Sequence, residues 1–348
     1  MKKIERTLHK LGILLQILII LFLTLLMIAT AAYTPGKSCT IFTVVYDDEV
    51  FYGNNEDQHN PDPVLGIYPP SSEGYGSVHF GIRKEDGQIN YEGAVNDQGL
   101  AWDVNSTPDF IMNQHPDKLY YLGSQNFLYT ITKKAATVEE AIQIAQNYQY
   151  GKVMEVQIHI ADATGDAVVI SAGPDGEIAF NRKPDGDGYQ LSTNFNLAIP
   201  EKGPVDFRWE TASSMLNALD RGQSLTHDYA ITILEAVKLK TLTSYTLYSN
   251  VVDLKNNKIH LTYMSQFDET AEIDLEEVFS KGRRTVEMRE FFSPETAQAG
   301  DAAYQRFAAR FMFAKIVVIT ILFLLIIGVL YLGSRIRERK QYQTTNMN

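Results

Sequence analysis

Hydrophobic and polar positions divide the chain into three regimes. Residues Leu11 to Tyr33 are almost wholly apolar, with Gln16 the only strongly polar side chain, and Ile316 to Leu332 is a second unbroken apolar run. Between them, short β-rich runs alternate with stretches of helical spacing, punctuated by Gly, Asn, Asp and Pro. Thr40 to Tyr46 and Val50 to Asn55 read as a hairpin turning at Asp47-Asp48-Glu49. Asn60 to Glu73, rich in Pro, Asp and Ser, reads as a loop. Strands are expected at Ser77 to Ile82, Ile89 to Val95 and Leu100 to Val104. Leu119 to Lys134 then has helical spacing, and Thr137-Val138-Glu139-Glu140 is a capping box opening a helix to about Tyr148. Strands return at Val153 to Ile160, Ala167 to Ala172 and Glu177 to Asn181, followed by helices at Phe207 to Asp220 and His227 to Lys238. Tyr245 to Asp253 and Lys258 to Tyr263 form a last hairpin around Asn256-Asn257, and Ser293-Pro294-Glu295 opens a further helix. Two strand blocks interleaved with two helical blocks suggest an α+β domain of stacked sheets with helices outside.

The flanks of the apolar runs give them a direction. Lys2, Lys3, Arg6 and Lys10 precede the first run, and Ala29-Thr30-Ala31-Ala32 suits signal peptidase. The length of that run also fits an uncleaved signal anchor. The second run is long enough to cross a bilayer and is followed by Arg335, Arg337, Arg339 and Lys340, a stop-transfer pattern. The organisation expected is a signal peptide, propeptide or signal anchor over 1–38 and an extracytoplasmic domain over 39–292. A juxtamembrane helix over 293–315, a transmembrane helix over 316–333 and a basic cytoplasmic tail over 334–348 complete it. The location implied is the cell membrane.

Charge sharpens this division. The chain is −11 overall, yet residues 1–38 and 315–348 are each net basic, which leaves the body between them at −19. So acidic a body disfavours nucleic acid and anionic lipid surfaces as partners. The histidines His59, His79, His115, His159, His227 and His260 lack metal-ligand spacing, so no metal or other cofactor is expected.

Cys39 is the sole cysteine, a few residues past the first apolar run, so an internal disulfide is impossible. It is a buried small hydrophobe, a lipidation site or a used thiol. If processing made it the first residue, one residue would carry both a nucleophile and an amine able to serve as its base. Three further stretches accompany it: Tyr52-Gly53-Asn54-Asn55-Glu56-Asp57, the turn and strand from Gly93 to Asn105, and Leu191-Ser192-Thr193-Asn194-Phe195-Asn196. The last is Phe207-Arg208-Trp209-Glu210-Thr211-Ala212, with an arginine at a helix start. Singly, these have plainer readings: turn residues for Asn96 and Asn194, a surface residue for Arg208, a cation loop for Asn54 to Asp62. Asn105-Ser106-Thr107 is also a glycosylation sequon.

Taken together in order, these segments resemble the linear-amide C–N hydrolases of the N-terminal-nucleophile superfamily, the group containing choloylglycine (bile salt) hydrolase and penicillin V acylase. The resemblance covers roughly Cys39 to Tyr263. It implies a four-layer αββα sandwich and hydrolysis of non-peptide C–N bonds in a small acyl-amide substrate. By position, it implies Cys39 as nucleophile, Asp57 as the carboxylate holding the α-amine, Asn105 and Asn194 as oxyanion-hole donors, and Arg208 as the arginine near the thiol. Bile salt hydrolases read Gly-Arg-Asn-x-Asp where this chain reads Gly53-Asn54-Asn55-Glu56-Asp57, so Asn54 replaces an arginine. Asn54 and Asn55 are candidate substrate contacts, and Tyr68, Tyr75, Trp102 and Phe110 are candidates for lining an acyl pocket or for the core. Acyl transfer to an amine, or a catalytically silent binding or sensor module, are the alternative activities.

Overall fold

The computed structural model describes residues 18–19, 21–22, 38–59, 62–122, 126–186, 188–199 and 206–345. The expected signal or anchor segment therefore lies almost wholly outside the described residues. The chain forms two compact units, one spanning Gly36–Gln305 and one that includes Arg306–Asn348.

In chain order, the larger unit begins with strands β1 (Ser38–Tyr46), β2 (Glu49–Gln58), β3 (Pro63–Tyr68), β4 (Ser77–Arg83), β5 (Ile89–Asn96), β6 (Ala101–Ile111) and β7 (Leu119–Tyr120). Helices α1 (Phe127–Lys134) and α2 (Val138–Ala145) follow, then β8 (Tyr148–Gln149), β9 (Val153–Ala161), β10 (Ala167–Ala172), β11 (Ile178–Arg182) and β12 (Gly188–Ser192). Next come α3 (Phe207–Leu216), α4 (His227–Ala236), β13 (Tyr245–Asp253), β14 (Lys258–Tyr263), β15 (Gln266–Asp274), α5 (Leu275–Ser280) and β16 (Arg284–Glu287). Helix α6 (Pro294–Thr345) closes the chain.

Two large antiparallel sheets result. One is six-stranded in the order β12-β1-β2-β13-β14-β15, the other eight-stranded in the order β11-β10-β9-β6-β5-β4-β3-β16. In the first sheet Phe42, Val44, Phe51, Leu191 and Val251 pack against Ala212 and Leu216 of α3 and Ala230, Ile233 and Leu234 of α4. In the second, Trp102, Ile158, Ile160 and Ile170 pack against Phe127 and Ile131 of α1 and Val138, Ala141 and Ile142 of α2. The opposite pleats of the two sheets face each other. Thr43 Oγ1 and His159 Nε2 are 2.9 Å apart, His159 Nδ1 lies 2.9 Å from Ser192 Oγ, and Phe80 stacks on Tyr248. The layers are thus helix, sheet, sheet, helix, as the resemblance implies. Because every central strand is covered on both faces, β1, β2 and β13 are buried along nearly their whole length.

Several local signals are realised. Thr137 and Glu140 form a reciprocal capping box at α2, and the Thr296 N–H donates to Ser293 Oγ at the start of α6. Asn257, in the turn before β14, has φ 52°, a left-handed conformation that Asn tolerates. Other expectations change. The stretch read as a loop contains β3, whose Val64, Leu65 and Ile67 are fully buried against neighbouring strands. Its proline sits at the first strand position, where no ladder hydrogen bond is lost. The helix expected from Leu119 starts only at Phe127, because Asn126 caps it by accepting from the Tyr129 N–H. The last hairpin gains β15, a charged edge strand whose exposure alternates, which hid it among polar residues. By length and composition, α6 is able to cross a membrane; its apolar stretch exposes Ile316, Ile319, Phe323 and Leu324.

Candidate active site

The β1–β2 hairpin creates the site. Its ladder runs from Tyr46 opposite Glu49 back to Cys39 opposite Glu56 and Ser38 opposite Asp57. The first residues of β1 therefore lie beside the last residues of β2. Strand alternation then sorts the side chains onto two faces. Cys39, Asn54 and Glu56 face the second sheet, whereas Asn55 and Asp57 face α3 and α4.

On the inter-sheet face the Cys39 thiol is 2% exposed and donates to Glu56 Oε2 at 3.6 Å. Burial pushes the thiol well above its ordinary value, and the carboxylates of Glu56, Asp103 and Asp57, in that order, push it further; a hydrogen bond from the Asp57 backbone works the other way. Asp103 reaches this face from β6 and accepts from Asn54 Nδ2 at 2.8 Å. Its carboxylate sits over Gly93, where a Cβ would come within 2.3 Å of Oδ2, so only glycine leaves the space. Asn54 thus occupies the place the resemblance gives to an arginine, and it is bound to an acid.

On the helix-facing side Asp57 is fully buried. Burial raises its carboxyl from the usual range to about 7, against the lowering effects of the Thr246 hydroxyl and Arg208. Thr246 Oγ1 donates to Asp57 Oδ1. Asp57 Oδ2 lies 3.6 Å from Arg208 Nη1, close enough for an ion pair but too long for a full hydrogen bond. Arg208 is held rigidly. Asp206, the cap of α3, accepts from its Nε at 3.0 Å and its Nη2 at 2.7 Å. Burial works against the Asp206 carboxylate, but the Arg208 hydrogen bonds outweigh it and hold Asp206 below its ordinary value.

Two donors meet at the residue bearing the thiol. Asn105 Nδ2 donates to the Cys39 carbonyl oxygen at 3.1 Å, and Arg208 Nη1 approaches the same oxygen at 3.4 Å. Arg208 Nη2 also donates to Asn194 Oδ1 at 2.9 Å, while Asn194 Nδ2 donates to the Ser106 carbonyl at 2.9 Å. Cys39, Asp57, Asn105, Asn194 and Arg208 therefore form one connected group. Asn55 stands apart from the thiol: its Nδ2 donates to the Leu234 carbonyl and ties β2 to α4. Trp102 belongs to the helix-facing core, where its Nε1 donates to Thr132 Oγ1 at 2.7 Å, because the pleat of β6 turns it away from Asp103 and Asn105. Tyr68 pairs with the Tyr91 hydroxyl at 2.9 Å.

Sequence reasoning passed over Glu56, Asp103, Asp206 and Thr246. The first two carried a usable signal. Glu56 lies two residues from Asn54, and Asp103 two from Asn105, so strand period places each pair on one face. Among the described residues no cluster of three His, Cys, Asp or Glu side chains is arranged to hold a metal ion.

No family model matches the sequence, and no curated protein matches it. Solved structures do. Two variant forms of conjugated bile acid hydrolase from Clostridium perfringens superpose with TM-scores of 0.51 and 0.52, at 15% and 14% identity, over 72% of this chain and 96% of theirs. Penicillin V acylase from Agrobacterium tumefaciens superposes at 0.51 and 16% identity, over 69% of this chain and 86% of its own. The chain has the N-terminal-nucleophile hydrolase fold found in these enzymes.

Proposed function

We propose that the chain is a membrane-tethered hydrolase of linear, non-peptide acyl amides, with Cys39 as nucleophile once everything before it has been removed. One observation carries the reading: Cys39, Asp57, Asn105, Asn194 and Arg208 come from five separate segments and join in one hydrogen-bonded and ion-paired group. The names of the similar structures, a hydrolase of conjugated bile acids and an acylase, support amide chemistry.

In the uncleaved chain the nitrogen of residue 39 is an amide and has no useful basicity. Removal of Ser38 converts it into an amine with a reference pKa of ~7.7–8.0, suited to proton transfer near neutral pH. The amine takes the thiol proton, and sulfur attacks the substrate carbonyl carbon. The oxyanion so formed is stabilised by the Asn105 amide. Collapse expels the leaving amine, which receives the proton held by the α-amine, and leaves a thioester. Water then attacks the thioester, gives its proton to the same amine, and releases the carboxylic acid and the thiol. Asp57, one ladder position away and braced by Arg208, orients and stabilises the protonated amine. Asn194 is the second candidate donor: its Nδ2, like that of Asn105, commits one N–H to a backbone carbonyl and keeps another, while its Oδ1 accepts from Arg208.

Helix α6 supplies the tether, with Arg335, Arg337, Arg339 and Lys340 on the cytoplasmic side and the acidic domain outside. The buried thiol favours one competing reading, in which Cys39 stays internal to the chain and the domain binds without catalysis. Turnover of a panel of N-acyl amides separates the two. The proposed enzyme hydrolyses members of the panel and loses this in Cys39→Ser and Cys39→Ala; activity surviving in both variants excludes Cys39 as nucleophile.

A further inference from the structure

Exposed large apolar side chains gather at the end of the two sheets where Cys39 stands. Strand β6 passes Asn105, which donates to the Cys39 carbonyl oxygen, and ends at Ile111, 85% exposed and opposite the exposed Val153 of β9. Leu119 and Leu122 are exposed on and just after β7, whose partner β8 leads into β9. Phe207, exposed at the start of α3, precedes Arg208, and the exposed Leu242 precedes β13, on which Thr246 stands opposite Asp57. The other end of the sheets is polar. Its turns include Asp47-Asp48-Glu49, Asp97-Gln98-Gly99 and Lys255-Asn256-Asn257. They meet where the Leu254 N–H donates to the Val50 carbonyl and Asn257 Nδ2 to the Asp97 carbonyl.

The chain itself points to what covers the apolar end. The first turns of α6 climb toward it. A Cβ on Gly300 would come within 2.8 Å of Met264 Cβ and 3.0 Å of the Tyr263 ring, and the Tyr263 hydroxyl donates to Asp301 Oδ1 at 2.7 Å. Tyr263 shares a ladder row with the thiol: Cys39, Glu56, Tyr248 and Tyr263 stand opposite one another on four adjacent strands. One turn further on, the Tyr304 hydroxyl donates to the His59 carbonyl, and its ring meets Tyr245, which lies opposite Gln58. The helix therefore leaves the domain past the end of β2. From Gln305 to the apolar run at Ile316 is about eleven residues, roughly 16 Å of helix. Before its removal, the leading apolar run also ends close by, at Tyr33, about six residues and at most ~20 Å of chain from Cys39.

We infer that the Cys39 end of the domain is a membrane-docking surface, whose apolar rim rests in the outer interface of the bilayer that α6 crosses. Exposed Ile, Leu, Val and Phe side chains fit the boundary between headgroups and acyl chains. So short a tether keeps the rim at high effective concentration beside the lipid, so a small apolar area is enough. The acidic body directs the contact to neutral headgroups. The inference rests on α6 spanning a membrane and is independent of the role given to Cys39.

The test uses full-length protein in a Cys39→Ala background, reconstituted into phosphatidylcholine vesicles and carrying one nitroxide label at a time. Ile111→Cys, Leu122→Cys and Leu242→Cys place the label on the rim, Asp48→Cys at the opposite end, and Phe323→Cys in the span. Power-saturation EPR compares collisions with oxygen, which concentrates in lipid, and with a nickel chelate present on both sides, which stays in water. The Phe323 label is expected to meet oxygen and exclude nickel. The rim labels should show an oxygen-to-nickel ratio several-fold above that of the Asp48 label. Rim labels as open to nickel as the Asp48 label overturn the inference and leave the tether standing. Rim labels shielded from both reagents also overturn it, because protein and not lipid then covers this end. A Phe323 label open to nickel overturns the tether and the inference together.

Discussion

Asn105 Nδ2 donates to the carbonyl oxygen of Cys39 at 3.1 Å, a bond from β6 of one sheet to β1 of the other. It brings an amide donor to the residue that carries the thiol, beside the position where the proposed hydrolysis develops its oxyanion. Asn105→Ala is expected to lower kcat by ~10²–10³, the usual cost of losing one such donor. KM should change far less, since the donor acts mainly on the transition state. Steady-state kinetics of the purified variant checks this. Asn105 is also fully buried, so its sequon carries no glycan in folded protein, and the intact mass should show none.

Arg208 is tied by two bonds to Asp206, one to Asn194, and contacts with Cys39 and Asp57. A lysine cannot reproduce this planar fork. Arg208→Lys should therefore lose most activity while remaining folded. Arg208→Met should be less stable by about 3 kcal/mol or more, because it leaves Asp57 and Asp206 buried without their cation. Urea denaturation of both variants, made in the Cys39→Ala background, measures the difference.

The hairpin that holds Cys39 was legible in the sequence. Alternating apolar residues around Asp47-Asp48-Glu49 set both its strands and its turn, and hence the approach of Asp57 to residue 39. The two-faced character of the site was not. It depends on the pairing register of β1, β2, β6 and β13, which decides that Glu56 and Asp103 share the thiol's side and Asp57 the other. Strand β3 was hidden because Pro, Asp and Ser on either side outweigh a short apolar run in any local reading. Asp206 was hidden because a residue before a helix reads only as a cap, while its second task, gripping Arg208, needs the folded side chain.

Burial raises the Asp57 carboxyl to about 7 in the uncleaved chain, above its unfolded value of 3.8. Folding therefore takes up a proton between these values. The stability tied to the protonated form is complete below pH 3.8 and is lost as pH rises through about 7. Asp57→Asn removes that dependence. Relative to the parent, the uncleaved Asn variant should gain stability as pH rises across this window, read as urea midpoints. A constant difference would mean Asp57 is ionised throughout.

His159 has the opposite sign. Burial lowers its imidazole from 6.5 to about 3, and in the neutral form it bridges Thr43 and Ser192 across the two sheets. Its contribution is complete above pH 6.5 and declines as pH falls toward about 3. His159→Gln should flatten the acid side of the stability profile, at a cost near neutral pH from imperfect bonding. Thermal denaturation across that range reports both.

The N-terminal residue of catalytically active protein is the most direct measurement. Mass spectrometry of its terminal peptide is predicted to find a chain that begins Cys39-Thr40-Ile41 with an unblocked α-amine. Fully active material in which Lys37-Ser38-Cys39 is still one continuous peptide would contradict the account, because the base that serves the sulfur would then not exist.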